Sequence, residues 1–261
     1  DYIHWVDFRL SAPVLRSALE LDMASQGGEQ PLDWIDILAL AAAWRGGTGV
    51  TVADTQRAAQ ALRGDTPPER LPGMAGRCFS YYRAAYGAAL GGLVGHFAIR
   101  RTDPQTGEAE WIPAYGLKAF SPIAAGYPWS HYPDFGAQRS YGYARPHLGN
   151  DILGALGTPI CAVEGGTVEA LGWNRYGGWR IGIRSDDRKR YYYYAHLRKD
   201  TPYAEGLAVG QRVQAGEVIG FMGRTGYSAQ ENVNNIETVH LHFGLQLIFD
   251  ESQKECDSEI W

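Results

Sequence analysis

Two histidines, His240 and His242, have the spacing of a metal or catalytic site. They lie two residues apart in a predicted strand, and strand side chains alternate between the two faces of a sheet. One face of this strand is entirely apolar and is the predicted core face: Leu241, Phe243, Leu245, Leu247 and Phe249. His240 and His242 must then project together from the opposite face, where both can point at one small ion. A lone histidine is more often a hydrogen-bonded core residue or a surface residue. The pairing of two histidines on one face is what favours a metal or catalytic site.

A second predicted strand, at residues 190–197, places another histidine beside tyrosines. By the same alternation, Tyr192, Tyr194 and His196 share one face. We expect Tyr192 and Tyr194 to line a substrate groove next to His196. Taken alone, this strand would fit an amphipathic sheet surface equally well.

A third segment supplies a carboxylate. His147 and Asp151 form an H-x-x-x-D pattern that follows Pro146, and proline and glycine here favour a loop or irregular strand edge over a helix. By itself the pattern is weak and fits a polar loop. Together with the histidine strands it becomes informative, because two imidazoles and one carboxylate fill three positions of a tetrahedral zinc. The fourth position is then left for water, as in catalytic rather than structural zinc sites.

The elements that must position these residues fall into two regions. Residues 1–100 have helical periodicity, with helices predicted from Ser11 and Pro13, over 34–44, over 52–63 and over 80–98. In the fourth helix, Gly87, Gly91 and Gly95 recur at four-residue spacing, which predicts a close helix crossing. From Arg101 onwards, short alternating runs separated by turn residues predict a meander of strands. The expected fold is α+β: a helical domain at 1–100, then a mostly antiparallel β domain at 101–261.

The composition excludes several classes of protein. The chain has 261 residues, of which 45% are hydrophobic, and a net charge of −5 without the basic stripe that nucleic-acid binding requires. Three cysteines, Cys78, Cys161 and Cys256, lack metal-binding spacing, and Cys161 is expected to be a buried core residue. The longest apolar stretches, such as 37–44, are shorter than the roughly 20 residues of a membrane-spanning helix. The absence of an initiator methionine before Asp1 leads us to expect a processed or trimmed product.

Three motifs taken in order resemble the lysostaphin-like family of cell-wall zinc metallopeptidases: H-x-x-x-D at 147–151, A-H-L at 195–197 and H-L-H at 240–242. The resemblance covers roughly residues 135–250 and includes the Gly-Thr-Pro-Ile run at 157–160. It implies that His147, Asp151 and His242 bind one zinc ion per chain. It also implies that His196 and His240 are catalytic.

The resemblance carries further expectations about function. Peptidoglycan would be the substrate and the protein would be extracellular or in the cell envelope, with an anchor upstream of Asp1 left open. Because no helical H-E-x-x-H pattern supplies a glutamate base, the histidines would orient or deprotonate the water activated by zinc and stabilise the oxyanion. The helical domain would position the enzyme or contact a protein partner. The sequence does not identify the scissile bond or the oligomeric state.

Two alternative functions fit parts of the sequence. The glycine-rich pattern at 210–220 also resembles the hairpin of lipoyl and biotinyl carrier domains, but no lysine stands in the tight turn that such a domain modifies. The second rival is a non-catalytic cell-wall binding or scaffold protein that retains the metal site. The complete set of ligands and histidines favours the enzyme.

Overall fold

The computed structural model describes residues 7–248. It divides the chain into two compact units, the first ending at Lys118 and the second beginning at Ala119. His4, Phe249 and Cys256 lie outside the described residues. Within the described range, no helix combines the length and the apolar character needed to cross a membrane.

The first unit is built from helices followed by a β-hairpin. Its elements are α1 (Ala12–Ser25), α2 (Trp34–Arg45), α3 (Val52–Leu62), a 3-10 turn (Pro68–Arg70), α4 (Met74–Leu90), β1 (Val94–Thr102) and β2 (Ala109–Leu117). Helix α2 is central, because every residue from Ile37 to Ala43 is buried and it packs against the other three helices. The buried Asp22 of α1 accepts hydrogen bonds from the Trp34 backbone N–H at 2.9 Å and the Tyr115 hydroxyl at 2.8 Å. This carboxylate therefore ties α1 to the start of α2 and to β2.

The fourth predicted helix, 80–98, is wrong in both its start and its end. Helix α4 begins at Met74 and ends at Leu90, where Gly91 caps it by donating to the Gly87 carbonyl at 2.9 Å. Gly92 then adopts a positive φ of 85°, and the chain enters β1. The glycine spacing therefore marks a helix end and a strand, so Gly87, Gly91 and Gly95 do not form the single helix face that was predicted.

The change of periodicity at Arg101 falls inside a strand. Arg101 pairs with Glu110 in the β1–β2 hairpin, and the predicted turn at 103–107 is the loop that joins the two strands. The first compact unit consequently runs to Lys118. The sequence pattern changes near the end of β1, well before the boundary of the unit.

The second unit is a set of short strands. They are β3 (Trp129–Tyr132), β4 (Gln138–Arg139), β5 (Arg145–Pro146), β6 (Asn150–Gly154), β7 (Pro159–Cys161), β8 (Gly166–Asn174), β9 (Gly178–Ser185), β10 (Arg190–Ala195), β11 (Arg212–Val213), β12 (Val218–Phe221) and β13 (His240–Leu247). In the described residues they form a seven-stranded sheet of order β11-β8-β9-β10-β13-β6-β3 and the two-stranded pairs β12-β7 and β4-β5. All of these strand pairings are antiparallel. The prediction of helices followed by mostly antiparallel β structure is confirmed at this level.

The core of the second unit lies on one face of the large sheet. Ile181, Ile183, Leu197 and Leu241 are completely buried there, and Cys161 is buried as expected. The apolar face predicted for β13 is buried only in the first half of the strand, because Leu245 is 44% exposed. The core face of β13 therefore lies at the end of the strand that carries His240 and His242.

Candidate metal centre

Three of the predicted site residues bring one donor atom each to a common point. The Nε2 atom of His147 lies 2.7 Å from Nδ1 of His242, and Asp151 Oδ1 lies 3.2 Å from each of these nitrogens. Ligands about 2.0–2.1 Å from a tetrahedral zinc are roughly 3.3 Å apart. Two imidazole nitrogens and one carboxylate oxygen at these separations fit a metal ion of this kind.

The sheet register explains how residues so distant in sequence meet. Asp151 on β6 and His242 on β13 are direct antiparallel partners. His147 reaches them across the tight segment 147–151, in which Gly149 packs against the His242 ring. A Cβ atom at position 149 would lie 2.5 Å from both Cε1 and Nε2 of His242. Glycine is therefore required there for the two rings to approach.

His240 lies on the same side of β13 as His242. Its Nε2 is 3.7 Å from Asp151 Oδ1, and its Nδ1 lies 2.9 Å from the backbone carbonyl of Thr238. That hydrogen bond orients the ring so that Nε2 faces the ligand cluster. The structure thus places His240 next to the three donors without adding it to them.

His196 approaches from the neighbouring strand. Strand β10 ends at Ala195, which pairs with His242, and His196 then turns with a positive φ of 61°. Its backbone N–H donates to the Gly177 carbonyl at 2.7 Å, and its Nδ1 lies 2.9 Å from the Thr225 carbonyl. The His196 ring centroid is consequently 4.7 Å from that of His240.

Burial and mutual charge set the protonation of these groups. Burial, reinforced by the nearby His240 and His242, lowers the pKa of His196 well below its ordinary value, so this ring is neutral near pH 7. Burial is also the largest influence on His242 and lowers its pKa against the opposing effect of Asp151. Burial alone would raise the pKa of Asp151, but hydrogen bonds from His147 and His242 outweigh it and hold that pKa far below its ordinary value. Burial therefore favours the neutral form of His242, and Asp151 is ionised, which are the protonation states in which these two side chains bind a metal.

All five predicted histidine and aspartate residues line one small cavity of about 30 Å³. A water molecule needs roughly 10–15 Å³ of such volume, so the cavity has room for a metal ion and a water molecule. The cavity is also lined by residues that were not predicted from the sequence: Arg139, Arg145, Tyr176, Gly177, Tyr193 and Tyr227. For Tyr193 a signal existed, since it alternates with Ala195 on the face of β10 that meets His242. The others lie in loops or in the two-residue strands β4 and β5, whose positions depend on long-range packing.

The prediction that Tyr192 and Tyr194 line the groove is wrong. Their exposed fractions are 1% and 0%, and both belong to the core of the second unit. The Tyr192 hydroxyl donates to Glu164 Oε2 at 2.7 Å, and the Tyr194 hydroxyl accepts from the Val163 backbone N–H at 2.9 Å. Strict alternation failed because His196 lies beyond the end of the strand, where its positive φ turns it to the other face.

Comparison with known proteins gives a family match over residues 145–255, which fit the model of peptidase family M23. The chain is 35% identical to an L-Ala–D-Glu endopeptidase of Bacillus subtilis over 177 residues, or 64% of this chain and 52% of that protein. It is 37% identical to lysostaphin of Staphylococcus simulans over 98 residues, or 37% of this chain and 17% of lysostaphin. The chain therefore spans about half the length of the first relative and a smaller share of the second.

One solved structure resembles the chain over most of its length. A putative glycyl-glycine endopeptidase LytM of Ruminococcus gnavus matches 94% of this chain and 86% of its own, with 23% identity and a TM-score of 0.52. At this level of identity the likeness concerns the fold. It extends well beyond the segment matched by the family model.

Proposed function

We propose that this chain, whose residues 145–255 match peptidase family M23, is a zinc-dependent endopeptidase acting on bacterial peptidoglycan. The observation that carries the proposal is the buried set of donors from His147, Asp151 and His242. Two more histidines, His196 and His240, stand beside this set. The names of the relatives, an L-Ala–D-Glu endopeptidase and lysostaphin, support the same class of reaction.

In this proposal His147, Asp151 and His242 hold one zinc ion per chain. Zinc bound there would polarise the scissile carbonyl and lower the pKa of a water molecule at its open position. Two neutral imidazoles and one carboxylate leave the site with a net positive charge, which suits that role. Asp151 is ionised before any metal binds, since its surroundings hold its pKa far below the ordinary value.

His196 and His240 handle protons in the proposed reaction. Each ring is held through Nδ1 by a backbone carbonyl, so Nε2 is the nitrogen available to water or to substrate. The neutral His196 can accept a proton at Nε2, and either ring in its protonated form can donate a hydrogen bond to the developing oxyanion. The two rings lie side by side, so both can act on the same substrate carbonyl.

The proposed substrate is a peptide of peptidoglycan, and the first bond to test is that between L-Ala and D-Glu. The similarity to the L-Ala–D-Glu endopeptidase covers 177 residues of this chain, whereas the similarity to lysostaphin covers 98. A glycyl-glycine bridge is the second bond to test. Because peptidoglycan lies outside the cytoplasmic membrane, we propose an extracellular or cell-envelope location. We also propose that the first unit contacts a partner or positions the peptidase.

A scaffold protein that keeps the metal site without turnover is the alternative function. The presence of both His196 and His240 favours the enzyme, because metal binding alone does not require them. The test is digestion by the full chain of peptidoglycans that differ in their crosslinks, with and without a zinc chelator, followed by mass spectrometry. We expect chelator-sensitive products with new peptide ends. Binding of peptidoglycan by zinc-loaded protein with no new ends in any substrate would support the scaffold instead.

A further inference from the structure

A buried carboxylate outside the family segment supports the ring of His147. Asp134 follows β3 and is 7% exposed. Its backbone oxygen lies 3.2 Å from His147 Nδ1, and its Oδ1 lies 3.3 Å from the same nitrogen. Asp134 Oδ1 has no other hydrogen-bond partner in the described residues. The ring Nδ1–H of His147 is therefore the donor that can reach it.

Arg139 on β4 connects this carboxylate to a second predicted ligand. Its Nη2 pairs with Asp134 Oδ2 and also donates to Asp151 Oδ2 at 3.2 Å. The oxygen of Asp151 that faces the two histidines is the other one, Oδ1. Arg139 therefore holds the carboxylate of Asp151 by the oxygen that points away from the ligand cluster.

Each contact bears on how the ligands would hold a metal. A histidine that ligates through Nε2 carries its proton on Nδ1, and a carboxylate or carbonyl at that proton fixes the tautomer and the ring orientation. A carboxylate tied down through one oxygen presents only the other to the metal, which keeps a further coordination position open for water. The guanidinium also compensates one of the two buried negative charges.

We propose that Asp134 and Arg139 are positioning residues of the metal centre. Asp134 holds His147 with Nε2 free, and Arg139 holds Asp151 so that Oδ1 alone faces the site. Both residues precede residue 145 and so lie outside the segment that matches the family. The inference rests on the proposed function only in requiring that the site binds a metal.

A purely structural role is the competing explanation, because the same pair closes the turn between residues 134 and 139. The two explanations differ in what they predict for metal affinity. A positioning role lowers the affinity for zinc while the metal-free protein keeps its stability. A structural role lowers the melting temperature of the metal-free protein and affects zinc only through unfolding.

The test measures zinc affinity of the full chain by competition with a chelator, together with the melting temperature of the metal-free form. We expect Asp134→Asn and Arg139→Gln each to weaken zinc binding by about 10–100-fold, the usual effect of losing such a contact. The double variant should lose less affinity than the two single losses combined would give, because Arg139 also pairs with Asp134 and the two residues share that contact. Arg212→Gln is the matched control, since it breaks an exposed Arg–Asp pair of 2.8 Å in the same unit.

A milder variant keeps the test decisive if either change prevents folding. Arg139→Lys retains the charge but replaces the rigid guanidinium, whose Nη2 contacts both carboxylates, with a flexible ammonium, so its zinc affinity should fall between those of wild type and Arg139→Gln. Wild-type zinc affinity in Asp134→Asn and Arg139→Gln, or a loss that merely follows a lower melting temperature, would overturn the inference alone. A wild-type protein that binds no zinc would overturn the proposed function as well.

Discussion

The rings of His196 and His240 lie 4.7 Å apart, and each is held by a backbone carbonyl 2.9 Å from its Nδ1. The two carbonyls belong to Thr225 and Thr238 in the segment that leads into β13. Both histidines therefore offer Nε2, and neither needs a carboxylate partner to fix its tautomer. This arrangement separates two predicted catalysts from the three predicted ligands.

Loss of either predicted catalyst should separate metal binding from turnover. His196→Ala and His240→Ala should each retain zinc and lower the turnover number by roughly 10²-fold or more, the usual scale for an acid-base or oxyanion group. Zinc content by mass spectrometry and cleavage of soluble muropeptides measure the two properties on the same sample. Wild-type-like cleavage by both variants at equal zinc loading would remove these histidines from the mechanism.

Loss of any predicted ligand should instead remove the metal. His147→Ala, Asp151→Ala and His242→Ala should each lose most of the bound zinc, because two remaining donors hold the ion far less tightly than three. The fold should persist, since the apolar core of the second unit is untouched. His131→Ala is a suitable control, because this exposed histidine lies on the neighbouring β3 and its ring hydrogen-bonds to Asn150, which is not a predicted ligand. Full zinc content in His242→Ala would show that the ligand was assigned wrongly.

Gly149 allows a steric test of the same site. Its substitution by Ala would place a methyl group 2.5 Å from two atoms of the His242 ring and 2.9 Å from the Phe243 carbonyl. We expect Gly149→Ala to displace the ring and lower zinc affinity at least tenfold, which calorimetry can measure. Gly87→Ala provides the control, because no atom outside its own helix lies within 4 Å of that Cβ. An unchanged affinity would mean that His242 can move without weakening the metal site.

The metal cluster was predictable from the sequence, whereas the residues around it were not. Strand alternation placed His240 and His242 on one side of β13, and the H-x-x-x-D spacing kept His147 and Asp151 close together. Asp134 lies in a loop and Arg139 in the two-residue strand β4, and no local pattern distinguishes them from surface residues. Their position depends on the pairing of β3 with β6, which is a long-range contact.

The errors have equally specific causes. Strand β10 is buried on both faces, so the alternation of its side chains does not tell which face meets substrate. The glycines after α4 fitted a helical spacing, although Gly92 requires a positive φ that ends the helix. In both places the pattern was read correctly but assigned to the wrong element or face.

Tyr192 tests the revised view of β10. Tyr192→Phe removes a buried hydrogen bond to Glu164 and should lower the free energy of unfolding by about 1 kcal/mol, as such bonds usually contribute. Because Glu164 Oε2 also accepts from Arg190 at 2.9 Å, the carboxylate keeps a partner. Zinc content and cleavage rate should match wild type, as measured beside a urea unfolding curve. A slower cleavage rate at unchanged stability would return Tyr192 to the substrate groove.

The division of the chain predicts where the peptidase can be cut from the first unit. All predicted ligands and catalysts follow Ala119, so the fragment 119–261 should bind zinc and, if it forms the whole groove, cleave soluble muropeptides. His96 should be dispensable, because it lies in β1 and packs on Tyr115 in the first unit.

A fragment that begins at Arg101 is the informative comparison. It contains β2 without most of β1, and each residue of β2 is paired with β1 in the intact chain. An unpaired strand edge promotes aggregation, so the fragment 101–261 should be less soluble than 119–261, although it is longer. Zinc binding, sedimentation and muropeptide cleavage of the two fragments and the full chain measure this directly. A soluble, zinc-loaded 119–261 without any activity would show that the first unit is needed for substrate binding, and the assignment of function to the second unit alone would be wrong.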